Sequence, residues 1–177
     1  MGKILDLQTD GRKIPRWYFI SSTHQIFQLH VFCDSSLVGY GAAAYLRTTY
    51  TSGKVKVNLV FWKTRIAPLV VISIPRLELL AGQLASKVTR HITEAFNPQF
   101  HKVRVWTDSM VLLGWIRNDA DRWKDWVRHR VRQIVKTTDS NEWGHCSGAL
   151  NPADIASRRA SATNLVTNTM VERTLFP

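Results

Sequence analysis

Residues 28–46 read QLHVFCDSSLVGYGAAAYL, and this stretch decides the fold class. An apolar, β-prone run from Leu29 to Cys33 ends in Asp34 and two serines, a cluster typical of a turn. The run from Tyr40 to Leu46 predicts a second strand. The chain therefore opens its ordered part with two short strands that we expect to pair in antiparallel fashion.

The pattern downstream adds a third strand and then alternates helices with strands. Ser52-Gly53-Lys54 is typical of a turn, and residues 55–61 alternate with period 2. A helix is predicted from Pro75, with an apolar stripe that runs to Ile92. Further elements are predicted as a strand over 103–107, helices over 109–116 and 122–136, a strand over 143–146, and a last helix with Asn151 as N-cap and Pro152 at its first position. The predicted order is β-β-β-α-β-α-α-β-α.

The charge balance points to a polyanionic partner. The 177 residues contain 24 Lys and Arg against 13 Asp and Glu, a net charge of +11. Hydrophobic residues make up 45% of the chain, which is ordinary for a globular protein and excludes a disordered or fibrous one. A basic excess of this size usually serves nucleic acid, with a merely basic soluble protein as the alternative.

Cysteine usage and hydropathy favour an intracellular protein. Cys33 and Cys146 form neither a disulfide framework nor a zinc motif, and we expect both to be small buried core residues. No 18-residue apolar run occurs, and the N-terminus does not resemble a signal peptide. We expect a cytoplasmic location. The predicted domain covers residues 27–160, with a linker or upstream remnant over 1–26 and a loose tail over 161–177.

Four acidic residues are the candidate catalytic groups. Asp34 ends the first strand and Asp108 ends the fourth, so the two would lie side by side if those strands are parallel neighbours. Glu78 lies in the predicted first turn of the long helix, and Asp154 lies in the predicted first turn of the last helix. Clustered carboxylates repel one another unless a cation neutralises them, and oxygen ligands favour Mg²⁺ or Mn²⁺. Two such ions are the usual device for phosphodiester displacement.

Each acid alone also has an ordinary structural explanation. An Asp at the end of a strand is often a turn former, and a helix N-terminal acid often only complements the helix dipole. We expect Gly82 and Ala85 to let the long helix approach the sheet closely and so bring Glu78 to the aspartates. The prediction therefore depends on the ordered set and not on any one residue.

At these residues the chain resembles the ribonuclease H-like domain of Bel–Pao type long-terminal-repeat retrotransposon Pol polyproteins. The matching stretches run in the family's order from about residue 14 to residue 159. They are LHVFCDSS (29–36) through Tyr40-Gly41-Ala42, KTRIAP (63–68), IPRLEL (74–79), WTDS (106–109) and NPADIASR (151–158).

The resemblance implies a ribonuclease H-like α/β fold, a five-stranded mixed sheet flanked by helices. It implies an endonuclease that hydrolyses the RNA strand of RNA–DNA hybrids during reverse transcription, with two Mg²⁺ ions (or Mn²⁺) as cofactors. Asp34 would bridge both ions, Glu78 and Asp108 would hold the ion at the leaving group, and Asp154 would hold the ion that carries the attacking water. A reverse transcriptase domain in the same polyprotein is the implied protein partner, and a virus-like particle is an implied setting.

Some positions depart from the family pattern. Ser35 stands where Ala is usual, and Trp62 stands where a small residue is common. Many ribonucleases H carry a mobile His about ten residues before the last Asp. His145 lies nine residues before Asp154, on a predicted strand, and is a candidate auxiliary group with a structural strand His as the alternative.

A basic row on the third helix is the candidate nucleic-acid surface. Lys124, Arg128, Arg132 and Lys136 recur at four-residue steps, and Arg122 and Arg130 add to them. Like charges at that spacing repel slightly, so the row gains if phosphates lie across it. A solvated helix face is the alternative. We expect the neighbouring Trp123 and Trp126 to pack in the core.

Two rival functions remain open at this level. An integrase or transposase would use Asp34, Asp108 and Glu142, but its last Glu belongs on a helix, and Glu142 precedes a predicted strand. The second rival is a catalytically inactive, domesticated or truncated nucleic-acid-binding module. All four acids are present, which argues against that rival, while Trp62 could distort the fold.

Overall fold

The structure is a computed structural model, and it describes residues 25–96 and 100–157, without the side chains of residues 155 and 156. The predicted linker over 1–26 lies outside these residues except for its last two positions. The predicted tail over 161–177 lies wholly outside them. The predicted domain bounds therefore stay predictions.

Five strands and four helices follow one another in the predicted order. They are β1 (Ile26–Ser35), β2 (Gly39–Thr49), β3 (Val55–Ile66), α1 (Ile74–Phe96), β4 (Lys102–Thr107), α2 (Met110–Arg117), α3 (Asp125–Val135), β5 (Trp143–His145) and α4 (Asp154–Ser157). Within the described residues no helix has the length and apolar character needed to span a bilayer.

The strands form one mixed sheet in the order β3-β2-β1-β4-β5. β1, β2 and β3 pair in antiparallel fashion, as the sequence predicts. β4 pairs with β1 in parallel, and β5 pairs with β4 in parallel. Parallel neighbours need a long crossover, and α1 supplies it between β3 and β4. The predicted α/β architecture, a five-stranded mixed sheet with helices, is confirmed.

A tight turn joins β2 to β3 at the predicted position. Gly53 adopts a positive φ of 77°, a conformation that favours glycine. Its amide donates to the Tyr50 carbonyl at 2.8 Å, and the Tyr50 amide donates to the Lys54 carbonyl at 2.9 Å. These bonds close the hairpin.

The main core lies between one face of the sheet and helices α1, α2 and α3. The alternating residues of β1 that point to this face, Leu29, Val31 and Cys33, are fully buried. The α1 stripe packs with them in the main core through Ala81, Leu84, Val88 and Ile92, and Leu77 is also buried. The helix face predicted from the three- and four-residue spacing is therefore the buried one.

A smaller apolar cluster covers the opposite face of the sheet. Its buried members are Phe32, Ala43, Tyr45, Val57, Cys146 and Ala153. Cys33 and Cys146 thus lie on opposite faces. Both are buried free cysteines, as predicted.

Two predicted helix starts differ from the structure. The helix expected from Arg122 begins at Asp125, because residues 120–122 form a separate 3₁₀ turn capped by Asp119. The last helix begins at Asp154 and not at Pro152. Here the Asn151 side chain accepts the Ala153 amide and donates to the Cys33 carbonyl, so it caps a turn that anchors this segment to β1.

Gly82 lets two helices pack closely together and does not mediate the close contact between α1 and the sheet that we expected. A Cβ atom built at Gly82 would lie 2.9 Å from Cδ2 of Leu112, a fully buried side chain of α2. The missing side chain therefore lets α1 and α2 approach each other. Ala85 is fully buried in the main core.

Exchange of Gly82 for Val is expected to overpack this contact. We expect Gly82→Val to lower the free energy of unfolding by about 1–3 kcal/mol, because the fully buried Leu112 side chain would have to shift. Gly114→Val is the matched control, since it is also a helical glycine and nothing lies within 4 Å of its added Cβ. Urea unfolding of both variants measures the difference. Equal stability of the two variants would contradict the account.

Candidate active site

The pairing of β1 with β4 brings Asp34 and Asp108 to the same level of the sheet. Phe32 lies opposite Trp106 in this parallel ladder. Asp34 follows Phe32 by two residues, and Asp108 follows Trp106 by two residues. Asp34 is the next-to-last residue of β1, and Asp108 directly follows β4. The carboxyl ends of two neighbouring parallel strands thus place the two acids side by side, as the sequence predicts.

The Asp34 carboxyl is partly buried and lies among other acids. Burial raises its pKa to about 6, opposed by a hydrogen bond that the Ser157 hydroxyl donates to Oδ2 at 2.5 Å. The negative charges of Asp108 and Asp154 also contribute to this raised pKa. The shift therefore reports a site where a negative charge is costly until a cation arrives.

Glu78 lies in the second turn of α1, and its placement in the first turn was wrong because the helix begins at Ile74. Its Oε2 accepts a hydrogen bond from the Ser109 hydroxyl at 2.5 Å. Burial raises the pKa of Glu78, the Ser109 bond opposes this, and the charge of Asp108 adds to it. Glu78 thus shares the electrostatic environment of Asp108, and a role as a simple complement to the helix dipole fits less well.

Asp154 reaches the same end of the sheet through the segment after β5. The side-chain amide of Asn151 donates to the Cys33 carbonyl at 2.9 Å, and the Cys146 amide donates to the Thr107 carbonyl at 2.9 Å. These bonds tie the segment to the ends of β1 and β4. Asp154 lies on α4, as predicted, although as its first residue, and its charge acts on Asp34.

Two serines that the sequence analysis did not assign hold these carboxylates. Ser109 caps α2 by accepting the Leu112 amide while its hydroxyl donates to Glu78. Ser157, one helical turn after Asp154, donates to Asp34. The Asp-Ser pair after β4 and the i,i+3 spacing in α4 are sequence signals that could have found them.

The four candidate carboxylates do not converge on one common metal position. Among residues 25–96 and 100–157, no three acidic, His or Cys side chains converge closely enough to hold a metal ion as they stand. The hydroxyls of Ser109 and Ser157 draw Glu78 and Asp34 toward themselves. The structure therefore brings the four acids to one end of the sheet and leaves their ligand role a prediction.

His145 is the last residue of β5, and its side chain is exposed. The predicted strand position is confirmed. An auxiliary role in turnover stays a prediction.

Glu142 is separated from the aspartates by the direction of the strands. It ends a 3₁₀ turn just before β5, where its carboxylate accepts the Asp139 amide in a capping box. Because β5 runs parallel to β4, a residue before β5 lies at the opposite end from Asp108. Glu142 therefore does not join Asp34 and Asp108 in the arrangement that an integrase would need.

The basic row on α3 is partly neutralised by acids of its own surface. Arg128 pairs with Asp125 one turn earlier, and Arg132 pairs with Asp121 in the preceding 3₁₀ turn. Lys124 and Lys136 flank the helix as its N-cap and C-cap residues. The row is therefore not the unbroken cationic stripe that we expected from the i,i+4 spacing, and Arg122, in the same 3₁₀ turn as Asp121, is exposed.

Removal of the Asp34 charge is expected to stabilise the metal-free protein at neutral pH. The pKa of Asp34 is raised in the folded state, so folding favours its protonated form. That contribution is present at pH 4 and is lost as the pH rises through about 6. Asp34→Asn should therefore have a higher Tm than the unchanged protein at pH 7 in EDTA, with the difference vanishing near pH 4.

Thermal unfolding between pH 4 and pH 7 measures this effect. Asp119→Asn is the control, because this exposed residue lies beyond the far end of α2 and Asn can cap the same turn. A Tm for Asp34→Asn that is equal to or below that of the unchanged protein at pH 7 would contradict the raised pKa of Asp34 in the folded state.

Solved structures that share similarity with this chain include three nucleases or polymerases. RNase H1 from the halophilic archaeon Halobacterium salinarum has 17% identity, covering 73% of this chain and 92% of that chain, with a TM-score of 0.41. LC11-RNase H1 in complex with an RNA/DNA hybrid has 12% identity, covering 78% and 99%, with a TM-score of 0.49. The foamy viral protease-reverse transcriptase, also in complex with an RNA/DNA hybrid, has 9% identity, covering 89% and 22%, with a TM-score of 0.44.

The amino-acid sequence identifies the family to which the chain belongs. A comparison with curated proteins found no match. The profile of one family, the Pao retrotransposon-like RNaseH-like domain, matches residues 4–109, which is more than half of the chain and includes Asp34, Glu78 and Asp108. The five-stranded mixed sheet agrees with that match. The chain belongs to the Pao retrotransposon-like RNaseH-like domain family.

Proposed function

We propose that this chain is a metal-dependent endonuclease that hydrolyses the RNA strand of RNA–DNA hybrids. The single observation that supports this most is the level placement of Asp34 and Asp108 at the ends of two parallel strands. The charge of Asp154 acts on Asp34, and the charge of Asp108 acts on Glu78. The net charge of +11 suits a polyanionic substrate.

The residues present fit a hard divalent cation. The donors are carboxylate oxygens, which favour Mg²⁺ or Mn²⁺, with no thiolate or imidazole among the four. The raised pKa values of Asp34 and Glu78 are the response expected of acids that lack a neutralising cation. Asp34, Glu78, Asp108 and Asp154 would hold the metal. When bound, two such ions activate a water nucleophile and stabilise the leaving oxygen.

The chain's own residues prepare this site in a specific way. The Ser157 hydroxyl orients Asp34 from α4, and the Ser109 hydroxyl orients Glu78 from the start of α2. Each hydroxyl donates to one oxygen of its carboxylate, Oδ2 of Asp34 and Oε2 of Glu78. Gly148 leaves room beside Asp108, since an added Cβ would lie 3.0 Å from its Oδ2.

The family supplies the biological setting of the proposal. The family is described as retrotransposon-like, and retrotransposons copy themselves by reverse transcription, in which RNA–DNA hybrids arise. We therefore propose a reverse transcriptase domain as a partner of the chain, acting in the cytoplasm or in a virus-like particle.

A catalytically inactive binding module is the competing function. The unusual Trp62 does not support it, because β3 continues through this residue and Trp62 pairs with Ala43 in the sheet. Its ring packs against the smaller apolar cluster. Ser35 likewise leaves β1 intact. What favours this alternative is that the carboxylates do not converge as they stand.

Loss of one carboxylate is expected to abolish most cleavage. Asp108→Asn and Glu78→Gln should each slow Mg²⁺-dependent cutting of a labelled RNA–DNA hybrid by about 100-fold or more, the scale on which loss of one electrostatic group slows an enzyme. Asp119→Asn should cut at the rate of the unchanged protein. Gel analysis of the 5′-labelled RNA strand measures the rates.

Three results would contradict the proposal. Cutting that persists in EDTA, or that survives Asp108→Asn, would remove the metal site from the reaction. Tight hybrid binding by the unchanged protein without cutting in Mg²⁺ or Mn²⁺ would favour the inactive module.

A further inference from the structure

Two arginines from different helices gather on one tryptophan ring. The guanidinium carbon of Arg130 lies 3.7 Å from the centroid of the Trp126 ring, and that of Arg76 lies 5.1 Å from it. Arg130 also donates to the Trp126 carbonyl at 2.9 Å. Trp126 itself packs against the main core, so the ring is a fixed platform for both cations.

The pair carries two positive charges, and no acidic residue of the described part of the chain forms an ion pair with either arginine. Among the described residues, carboxylates pair with Arg90, Arg128 and Arg132, and none pairs with Arg76 or Arg130. Burial lowers the pKa of Arg130, and the charge of Arg76 lowers it further. Cation–π contacts compensate only part of such repulsion. An anion bound at this site would offset the remaining repulsion.

The pair lies near the candidate active site. Arg76 precedes Glu78 by two residues on α1. The Tyr40 side chain acts electrostatically on Arg130. Tyr40 pairs with Ser35 in the sheet, and Ser35 is the neighbour of Asp34. The guanidinium pair therefore lies on the α1–α3 side of the same sheet end as the four acids.

We propose that Arg76 and Arg130, held by Trp126, bind a backbone phosphate of the nucleic-acid strand beside the carboxylates. Planar guanidinium forks match phosphate oxygens in bidentate fashion, and two of them make a stronger site than one. The inference rests on the proposed function and specifies how the substrate is held. It also moves the main grip from Arg128 and Arg132, whose charges meet Asp125 and Asp121, to this pair.

Hybrid binding in the absence of metal tests the proposal separately from cleavage. Arg76→Gln and Arg130→Gln are each placed in the Asp108→Asn protein, and the fluorescence anisotropy of a labelled RNA–DNA hybrid is followed in EDTA from about 50 to 200 mM salt. Each change should weaken binding about 10-fold at the lower salt and reduce the slope of log K against log salt by about 0.7–0.9, the value for one phosphate contact.

Arg132→Gln is the matched control, an exposed arginine of α3 that already has a carboxylate partner. It should change the affinity less than twofold. Circular dichroism and Tm establish that each variant folds. Arg76 is exposed, so Arg76→Gln decides the test even if Arg130→Gln proves unstable.

The outcomes separate this inference from the proposed function. Unchanged affinity and slope for Arg76→Gln, or an equal loss for Arg132→Gln, would overturn the phosphate site even if the protein cuts hybrids. Arginine-dependent binding by a protein that never cuts would support the phosphate site while the nuclease proposal fails. A protein that binds no hybrid at all would overturn the phosphate site.

Discussion

The parallel pairing of β1 with β4 is the constraint on which the rest of the structure depends. It places Asp34 and Asp108 at one level, although they are far apart along the chain. Two parallel neighbours cannot be joined by a tight turn, so the long crossover helix α1 follows from the same constraint. The crossover in turn carries Glu78 to this end of the sheet. Three of the four acids are thus positioned by one strand pairing and its connection.

Packing on both faces of the sheet keeps that pairing in register. Leu29, Val31 and Cys33 of β1 are fully buried under α1, while Phe32 is fully buried on the other face. A shift of β1 by one residue would exchange these faces, which specifies the register strongly. The fourth acid depends on a different device, the Asn151 side chain that bonds to the Cys33 carbonyl. The site is therefore assembled from the sheet and one polar anchor.

The electrostatics of the site and of its surroundings have opposite signs. The acids raise one another's pKa values, and the guanidinium pair of Arg76 and Arg130 stands beside them on the α1–α3 side. A nucleic acid carries phosphates that suit the arginines and a cation atmosphere that suits the acids. Repulsion between like charges raises the free energy of each half of the surface. A bound metal would neutralise the acids, and a bound phosphate would neutralise the arginines.

The sequence was sufficient for whatever depends on periodicity and strand ends. The order of strands and helices along the chain, the α1 stripe and the positions of Asp34 and Asp108 follow from alternation and from turn residues at strand ends. The five-stranded mixed sheet was implied by the family resemblance, and the parallel pairing of β1 with β4 was only a condition of the prediction. The ion pairing within the basic row on α3 could be predicted in part from the sequence, because Asp125 and Arg128 are one helical turn apart. The Asp121–Arg132 pair was not, since it depends on the 3₁₀ turn that precedes α3. The meeting of Arg76 with Trp126 also depends on how α1 packs on α3, which no local pattern encodes.

Anomalous diffraction from crystals grown with Mn²⁺ tests the central claim most directly. The account predicts a peak bound by the Asp34 and Asp108 carboxylates, with Glu78 turned from the Ser109 hydroxyl toward the ion. Crystals with Mn²⁺ elsewhere, or with no peak at this sheet end and Glu78 still bound to Ser109, would contradict it.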